Sequence, residues 1–148
     1  MSIPDKAQIL ALLDRLDSCI ADDLESQFLD FKPWQGPKDD LKLACEYACC
    51  FANGSGDAVV FGVVDKVQGR AHAIQGAKGY DLDTFRHGIF NGTRPGIEAE
   101  VEEIDVPEGT GKILVVRVAE GSRKPYGTPA GLFKQRGGKN CMTLDQVA

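Results

Sequence analysis

The sequence has no apolar run long enough to cross a membrane. Its longest run, Ala58–Val64, spans seven residues, whereas a membrane-spanning helix needs about 20. The first residues, MSIPDKAQ, also lack the basic start and the apolar stretch of a secretory signal. These absences favour a cytoplasmic protein that has no membrane partner.

The paired cysteine spacings of a zinc site are also missing. The chain has five cysteines and no CxxC pair, and the odd count argues against a closed disulfide framework. Cys45, Cys49 and Cys50 fall within one predicted helix. Reduced cysteines behave as small apolar residues, so we expect these thiols to be reduced and buried.

A net basic charge, which is common in nucleic-acid-binding domains, is absent as well. The net charge is -5, but residues 112–140 hold seven Lys and Arg against a single acid, Glu120. Such an asymmetry indicates either an anionic partner on one face or basic strands that pair with the acidic segment Glu98–Asp105 across a sheet. The sequence leaves both explanations open.

Periodicity predicts the secondary structure. Apolar residues at helical spacing predict helices near residues 5–16, 38–53 and 81–90. Runs of β-branched and aromatic residues predict strands at residues 24–34, 58–64, 97–105, 113–120 and 131–138. Helices early in the chain and an antiparallel meander later predict an α+β domain with a mixed, largely antiparallel sheet and about three helices.

The Gly54-Ser55-Gly56 turn is not a phosphate-binding loop. It ends a predicted helix and begins a predicted strand, whereas phosphate loops follow a strand and place the anion at a helix N-terminus.

We divide the chain into an N-terminal helix at residues 1–19, a domain at 20–145, and the start of a further segment at 146–148.

Six segments occur in a recognisable order: LESQFLDFK, CCFANGSG, DAVVFGVVD, RPGIEAEVEEI, KILVVRVAEGSRKPYG and GLFKQRGGKN. Together they resemble the Schlafen/AlbA-type domain. The family's usual Gly-Gly before the central strand is Gly56-Asp57 here, which puts the conformation of that turn in doubt because Asp does not adopt positive φ as readily as Gly.

The resemblance implies a nucleic-acid-binding domain, typically the N-terminal module of a bacterial transcriptional regulator followed by a winged-helix or ATPase-like domain. The partner would be DNA or RNA, no cofactor would be required for binding, and a homo-oligomer stays open. Basic residues late in the chain would contact phosphates: Arg123, Lys124, Lys134, Arg136 and Lys139. Tyr126 or Phe133 would either stack on a base or pack in the core.

Nuclease members of the Schlafen group imply an alternative. Glu25, Asp30 and Asp65 match their three carboxylates, with Asp30 in place of the usual Glu. Such a site would hold Mg²⁺ or Mn²⁺ for metal-dependent RNA cleavage, and Lys32 would offset transition-state charge. A second alternative is a protein-interaction domain, which the acidic net charge favours. Binding without cleavage is the leading interpretation.

Overall fold

The computed structural model describes residues 3–137 and 140–143. Its helices are α1 Lys6–Leu13, α2 Pro37–Asn53, α3 Arg70–Ala73 and α4 Leu82–Asn91. Its strands are β1 Leu29–Lys32, β2 Gly56–Phe61, β3 Glu100–Asp105, β4 Lys112–Ala119, β5 Lys134–Gly137 and β6 Asn140–Thr143. Short 3₁₀ segments occupy Asp14–Asp17 and Ala21–Leu24.

Four strands form the main sheet in the order β1-β2-β4-β3. β1 is parallel to β2, and α2 connects them, whereas the β2–β4 and β4–β3 pairs are antiparallel. β5 and β6 form a separate antiparallel hairpin. The predicted α+β class with a mixed, largely antiparallel sheet is therefore confirmed.

Helices cover both faces of the main sheet, and each face has its own apolar core. One core lies beneath α2 and α4 and includes Phe51 and Phe61, which are fully buried. The other lies beneath α1 and includes Leu13 and Phe31. Each such side chain contributes about 1.5–3 kcal/mol when fully buried. All six residues of β2 are buried because the strand lies between these two cores.

The helix ends follow local sequence signals. Asp81 caps α4 by accepting a hydrogen bond from the Thr84 amide at 2.8 Å. Gly54, which follows α2, has a φ of -94°, and the positive φ in this turn belongs to Gly56, at +88°. Gly56 therefore takes the positive φ and Asp57 does not need it, which removes the doubt about the Gly56-Asp57 turn.

Two strands have different bounds from those that the sequence predicts: β1 is shorter, and β2 ends earlier. The strand expected at residues 24–34 is reduced to β1, because Leu24 ends a 3₁₀ segment and the Glu25 carboxylate folds back onto the Phe31 amide. The central strand ends at Phe61 because Gly62 turns the chain at φ +110°, where an added Cβ would lie 2.9 Å from Gly76.

Only part of the end of the chain is described. Met142 and Thr143 belong to β6, and residues 146–148 lie outside the described part of the chain. No helix among the described residues is both long enough and apolar enough to span a membrane.

The prediction that Cys45, Cys49 and Cys50 are reduced is wrong for one of the three. Cys50 and Cys141 form a disulfide that attaches β6 to α2. Cys45 and Cys49 are free and buried, as predicted. Burial raises the pKa of Cys45 to about 11 and that of Cys49 to about 12, so both are protonated at neutral pH.

Candidate functional site

Arg136 is the centre of a buried ionic cluster. Its Nη1 lies 3.3 Å from Asp30 Oδ2 and its Nε lies 2.9 Å from Asp57 Oδ2. Its Nη2 donates to the Ser26 carbonyl at 2.6 Å, and only 6% of the side chain is exposed. Arg136 was expected to contact phosphate at the surface. Instead, its guanidinium forms ion pairs with Asp30 and Asp57 inside the protein.

Asp57 explains why a cation is needed at this point. It is fully buried; burial raises its pKa, and the attraction of the Arg136 guanidinium opposes this and favours the charged carboxylate. The Phe51 ring lies beneath the guanidinium, 5.6 Å from centroid to Cζ, and adds a cation–π contact. Asp57, which stands where the family pattern has a glycine, is thus paired with Arg136 on β5.

Glu25 and Asp30 form a pair of adjacent carboxyl groups. Glu25 Oε2 accepts a hydrogen bond from the Phe31 amide at 2.8 Å. Burial, together with hydrogen bonds to Asp30 and Asp22, raises the pKa of Glu25 to about 8. Two neighbouring carboxylates repel each other, so Glu25 retains a proton at neutral pH.

Asp65 does not complete a three-carboxylate site. Asp30 lies opposite Val59 in the β1–β2 register, whereas Asp65 lies in a turn beyond the end of β2. The Asp65 carbonyl accepts from the Asp22 amide at 2.9 Å. Across residues 3–137 and 140–143, no group of three or more His, Cys, Asp or Glu is arranged to hold a metal ion.

The resemblance implies a Mg²⁺ or Mn²⁺ site at Glu25, Asp30 and Asp65, but the arrangement of these residues does not fit one. The Arg136 guanidinium sits against Asp30, where a metal would have to bind, and Glu25 carries a proton that a metal ligand must lose.

Lys32 lies beside this cluster, at the end of β1. Its Nζ is 5.9 Å from the Tyr47 ring centroid. Burial opposes the charge of Lys32, but the attraction of Tyr47, Asp30 and Glu25 is stronger, and the net effect raises its pKa. Lys32 is therefore cationic at neutral pH and half-exposed.

The other basic residues that were expected to contact phosphate are not buried in the way that Arg136 is, as far as the structure describes them. Lys134 pairs with Glu46 at 3.2 Å and Lys124 pairs with Glu120 at 2.6 Å. Arg123 is exposed, and Lys139 lies outside the described residues. Of the four described members of the predicted set, three thus lie at or near the surface.

Two small cavities flank β5. One, of about 180 Å³, is lined by Tyr47, Lys134 and neighbouring residues. The other, of about 190 Å³, is lined by Ser55, Lys124, Gln135 and neighbouring residues. Tyr47, Ser55, Lys124 and Lys134 line these cavities, Lys32 lies beside Tyr47, and Arg123 precedes Lys124 in the chain. We call these six half-exposed or exposed side chains the β5 surface.

Asn53 holds β5 against the end of α2. Its Nδ2 donates to the carbonyls of Tyr126 at 2.9 Å and Lys134 at 2.7 Å. Its Oδ1 accepts from the Tyr126 amide at 2.7 Å. Asn53 lies in the segment CCFANGSG, but the local sequence does not predict these contacts because their partners are 73 and 81 residues away.

Tyr126 and Phe133, the two rings expected either to stack on a base or to pack in the core, differ in exposure. Tyr126 is buried, with 6% exposed, and its hydroxyl accepts from the Arg123 amide at 2.9 Å. Tyr126 is therefore a packing residue, whereas Phe133 is 37% exposed. Tyr47, which the sequence analysis did not select, is the aromatic ring beside the basic side chains.

The raised pKa of Glu25 has a measurable consequence for stability. Between pH 4.5, its ordinary pKa, and about 8, the folded protein binds a proton that the unfolded chain releases, so this group stabilises less as pH rises. We expect Glu25→Gln to gain stability relative to the wild type between pH 5 and pH 8, as measured by urea midpoints. Glu98→Gln, at an exposed position, is the control and should show no such trend; an equal trend in both variants would contradict the assignment.

Comparisons with known proteins agree with this fold. The family model described as Schlafen, AlbA_2 matches residues 25–145. No curated protein matches the chain. The crystal structure of the DIP2311 protein from Corynebacterium diphtheriae is similar, with a TM-score of 0.68 and 22% identity over 93% of this chain and 26% of that one. The match covers most of the residues that form both cores and the Arg136 cluster, and this chain therefore belongs to the Schlafen, AlbA_2 family.

Proposed function

We propose that this domain binds nucleic acid through the β5 surface. The observation that carries the proposal is the family match over residues 25–145, which supports a nucleic-acid-binding type of domain. We further propose that it acts as the N-terminal module of a bacterial transcriptional regulator. In support, the chain spans 26% of the DIP2311 protein, as one module of a longer protein would.

The chemistry of the β5 surface suits a phosphate backbone. Lys32, Lys124 and Lys134 provide ammonium groups, and Arg123 provides an exposed guanidinium. Lys124 and Lys134 are held by carboxylates in partly exposed ion pairs. Such pairs contribute about 0–1 kcal/mol, so a phosphate can replace the carboxylate at little cost. The half-exposed Tyr47 ring offers a surface on which an unpaired base can stack.

Fluorescence anisotropy with labelled single-stranded RNA and duplex DNA tests this proposal. We expect the triple variant Lys32→Ala, Arg123→Ala and Lys134→Ala to bind at least tenfold more weakly than the wild type. Its plot of log affinity against log salt should also be less steep, by roughly 0.7–0.9 for each lost phosphate contact.

The matched control removes three cations elsewhere: Arg15→Ala, Lys66→Ala and Lys78→Ala, all at exposed positions. It should change affinity by less than threefold. Equal losses in the two triple variants would show that only overall charge matters and would overturn the assignment of the β5 surface.

Metal-dependent RNA cleavage, which the resemblance also implies, would require Arg136 to leave Asp30 and Glu25 to lose its proton. Labelled RNA incubated with Mn²⁺ or with EDTA distinguishes it from binding alone. Cleavage that requires Mn²⁺ and is lost in Asp65→Ala would replace the binding-only proposal. If neither binding nor cleavage occurs, the nucleic-acid proposals fall and a protein-interaction domain takes their place.

A further inference from the structure

β3 is the terminal strand of the main sheet, at the end opposite β1. One of its edges pairs with β4, and its outer edge has no strand partner within residues 3–137 and 140–143. Such an edge presents main-chain N–H and C=O groups to an extended segment of another chain.

A groove lies on each side of this edge, at the same stretch of chain. The first, of about 660 Å³, runs between α4 and Glu98–Glu100 and includes Phe90, which is 47% exposed. The second, of about 620 Å³, runs between Ile3–Lys6 and the other face of β3. Because side chains of a strand alternate between faces, an added strand would place successive side chains in the two grooves.

The two grooves differ in chemistry. The exposed Phe90 ring and Ala99 make the first groove apolar in part, although Arg86, Glu98 and Glu100 also line it. In the second, Glu98, Glu100 and Glu102 supply carboxylates. An occupant whose side chains alternate between apolar and basic would therefore match both grooves.

The charge of the edge excludes a second copy of β3 and favours a basic partner. Residues 98–105 contain five acids and no base. Arg117 pairs with Glu100 and Glu102, and Lys112 lies near Glu103, so cations compensate only part of this charge. Like charges on opposed strands destabilise pairing, whereas Lys or Arg side chains would be attracted.

Arg117 supplies a separate indication of a ligand. Its side chain is only 10% exposed and lines the second groove. Its Nε donates to the Pro4 carbonyl at 2.8 Å and its Nη1 to the two glutamates. Its buried Nη2 has no hydrogen-bond acceptor among the described residues, and buried polar groups ordinarily have one. A carbonyl of a bound segment would be an acceptor.

We propose that the outer edge of β3 binds an extended peptide segment of another protein, with alternating basic and apolar side chains, as an additional strand. Its basic side chains enter the groove with Glu100 and Glu102. Its apolar side chains pack near Phe90. The site lies on a different edge of the sheet from β1 and is independent of nucleic-acid binding by the β5 surface.

An eight-residue peptide that alternates lysine and valine is the probe, with binding followed by isothermal titration and by amide hydrogen exchange. We expect binding together with at least tenfold slower exchange of outward amides within Glu100–Asp105. The same peptide with its four central amides N-methylated keeps its charge but cannot pair with a strand. We expect it to bind at least tenfold more weakly.

Two variants locate the site. Glu98→Lys should weaken binding of the unmethylated peptide at least tenfold. Asp39→Lys makes the same change of charge at an exposed position on α2 and should change the affinity by less than threefold. The proposal is overturned if the peptide does not bind, if the methylated peptide binds equally well, or if the two variants lose affinity equally.

Discussion

Replacing Arg136 with alanine is expected to lower the free energy of unfolding by about 3–5 kcal/mol, the usual cost of removing one partner from a buried ion pair. The guanidinium neutralises Asp57, which is fully buried, and contacts Asp30, which is 5% exposed. Without it, both carboxyl groups stay buried without their counter-charge. Urea unfolding followed by the fluorescence of Trp34, the single tryptophan, measures the change.

Two further variants identify the cause. Arg123→Ala removes an exposed arginine and should change stability by less than about 0.5 kcal/mol. Adding Asp57→Asn to Arg136→Ala removes one uncompensated acid and should recover part of the loss, so the two changes are not additive. A loss for Arg136→Ala no larger than that for Arg123→Ala would contradict the buried cluster.

Reduction of the Cys50–Cys141 disulfide is expected to lower the free energy of unfolding by about 2–4 kcal/mol. The two residues are 91 positions apart, so the bond removes a large part of the conformational freedom of the unfolded chain. It also attaches β6, which pairs with β5 and belongs to a separate sheet, to the buried side of α2. Urea midpoints with and without a reducing agent measure the change.

Cys141→Ser is the informative variant. It should be as unstable as the reduced wild type and should not respond further to the reducing agent. Cys19→Ser, at a free cysteine, should keep the full response. Thiol titration of the unfolded oxidised chain should find Cys19, Cys45 and Cys49 only. Five reactive thiols before reduction would contradict the bond.

Several elements of the fold were predictable because their signals are local. The apolar spacing from Leu41 to Ala52 defines α2, and the uninterrupted apolar run defines β2 between two cores. The alternation of Ile97, Ala99 and Val101 with acids predicts β3, although the strand begins at Glu100. In each case the pattern over a few residues already specifies which faces are buried.

One of the two explanations of the charge asymmetry was also visible in the sequence. The pairing of basic strands with an acidic strand is confirmed by Arg117, which contacts Glu100 and Glu102. The sequence could not choose between this and an anionic partner, because the choice depends on which strands are neighbours. That information lies in the β3–β4 register.

The roles of individual site residues were not predictable in this way. Arg123 and Arg136 both lie in glycine-containing segments of similar charge, but one is exposed and the other is buried against Asp30 and Asp57. Asp65 follows β2 as expected and still does not join Glu25 and Asp30, because Gly62 turns the chain first. The turn at Gly62 thus separates Asp65 from Glu25 and Asp30, the two acids with which the resemblance had grouped it.

The sequence by itself determined the fold class, the helices and strands with strong periodicity, and the family. These depend on burial patterns and turn residues that act within a few positions. Tertiary structure alone decided that Cys50 bonds to Cys141, that Arg136 is an internal counter-charge, and that β5 and its neighbours form the basic surface. Each of these depends on segments that are far apart in the chain, and their proximity arises only when the β5–β6 hairpin packs against α2 and the ends of β1 and β2.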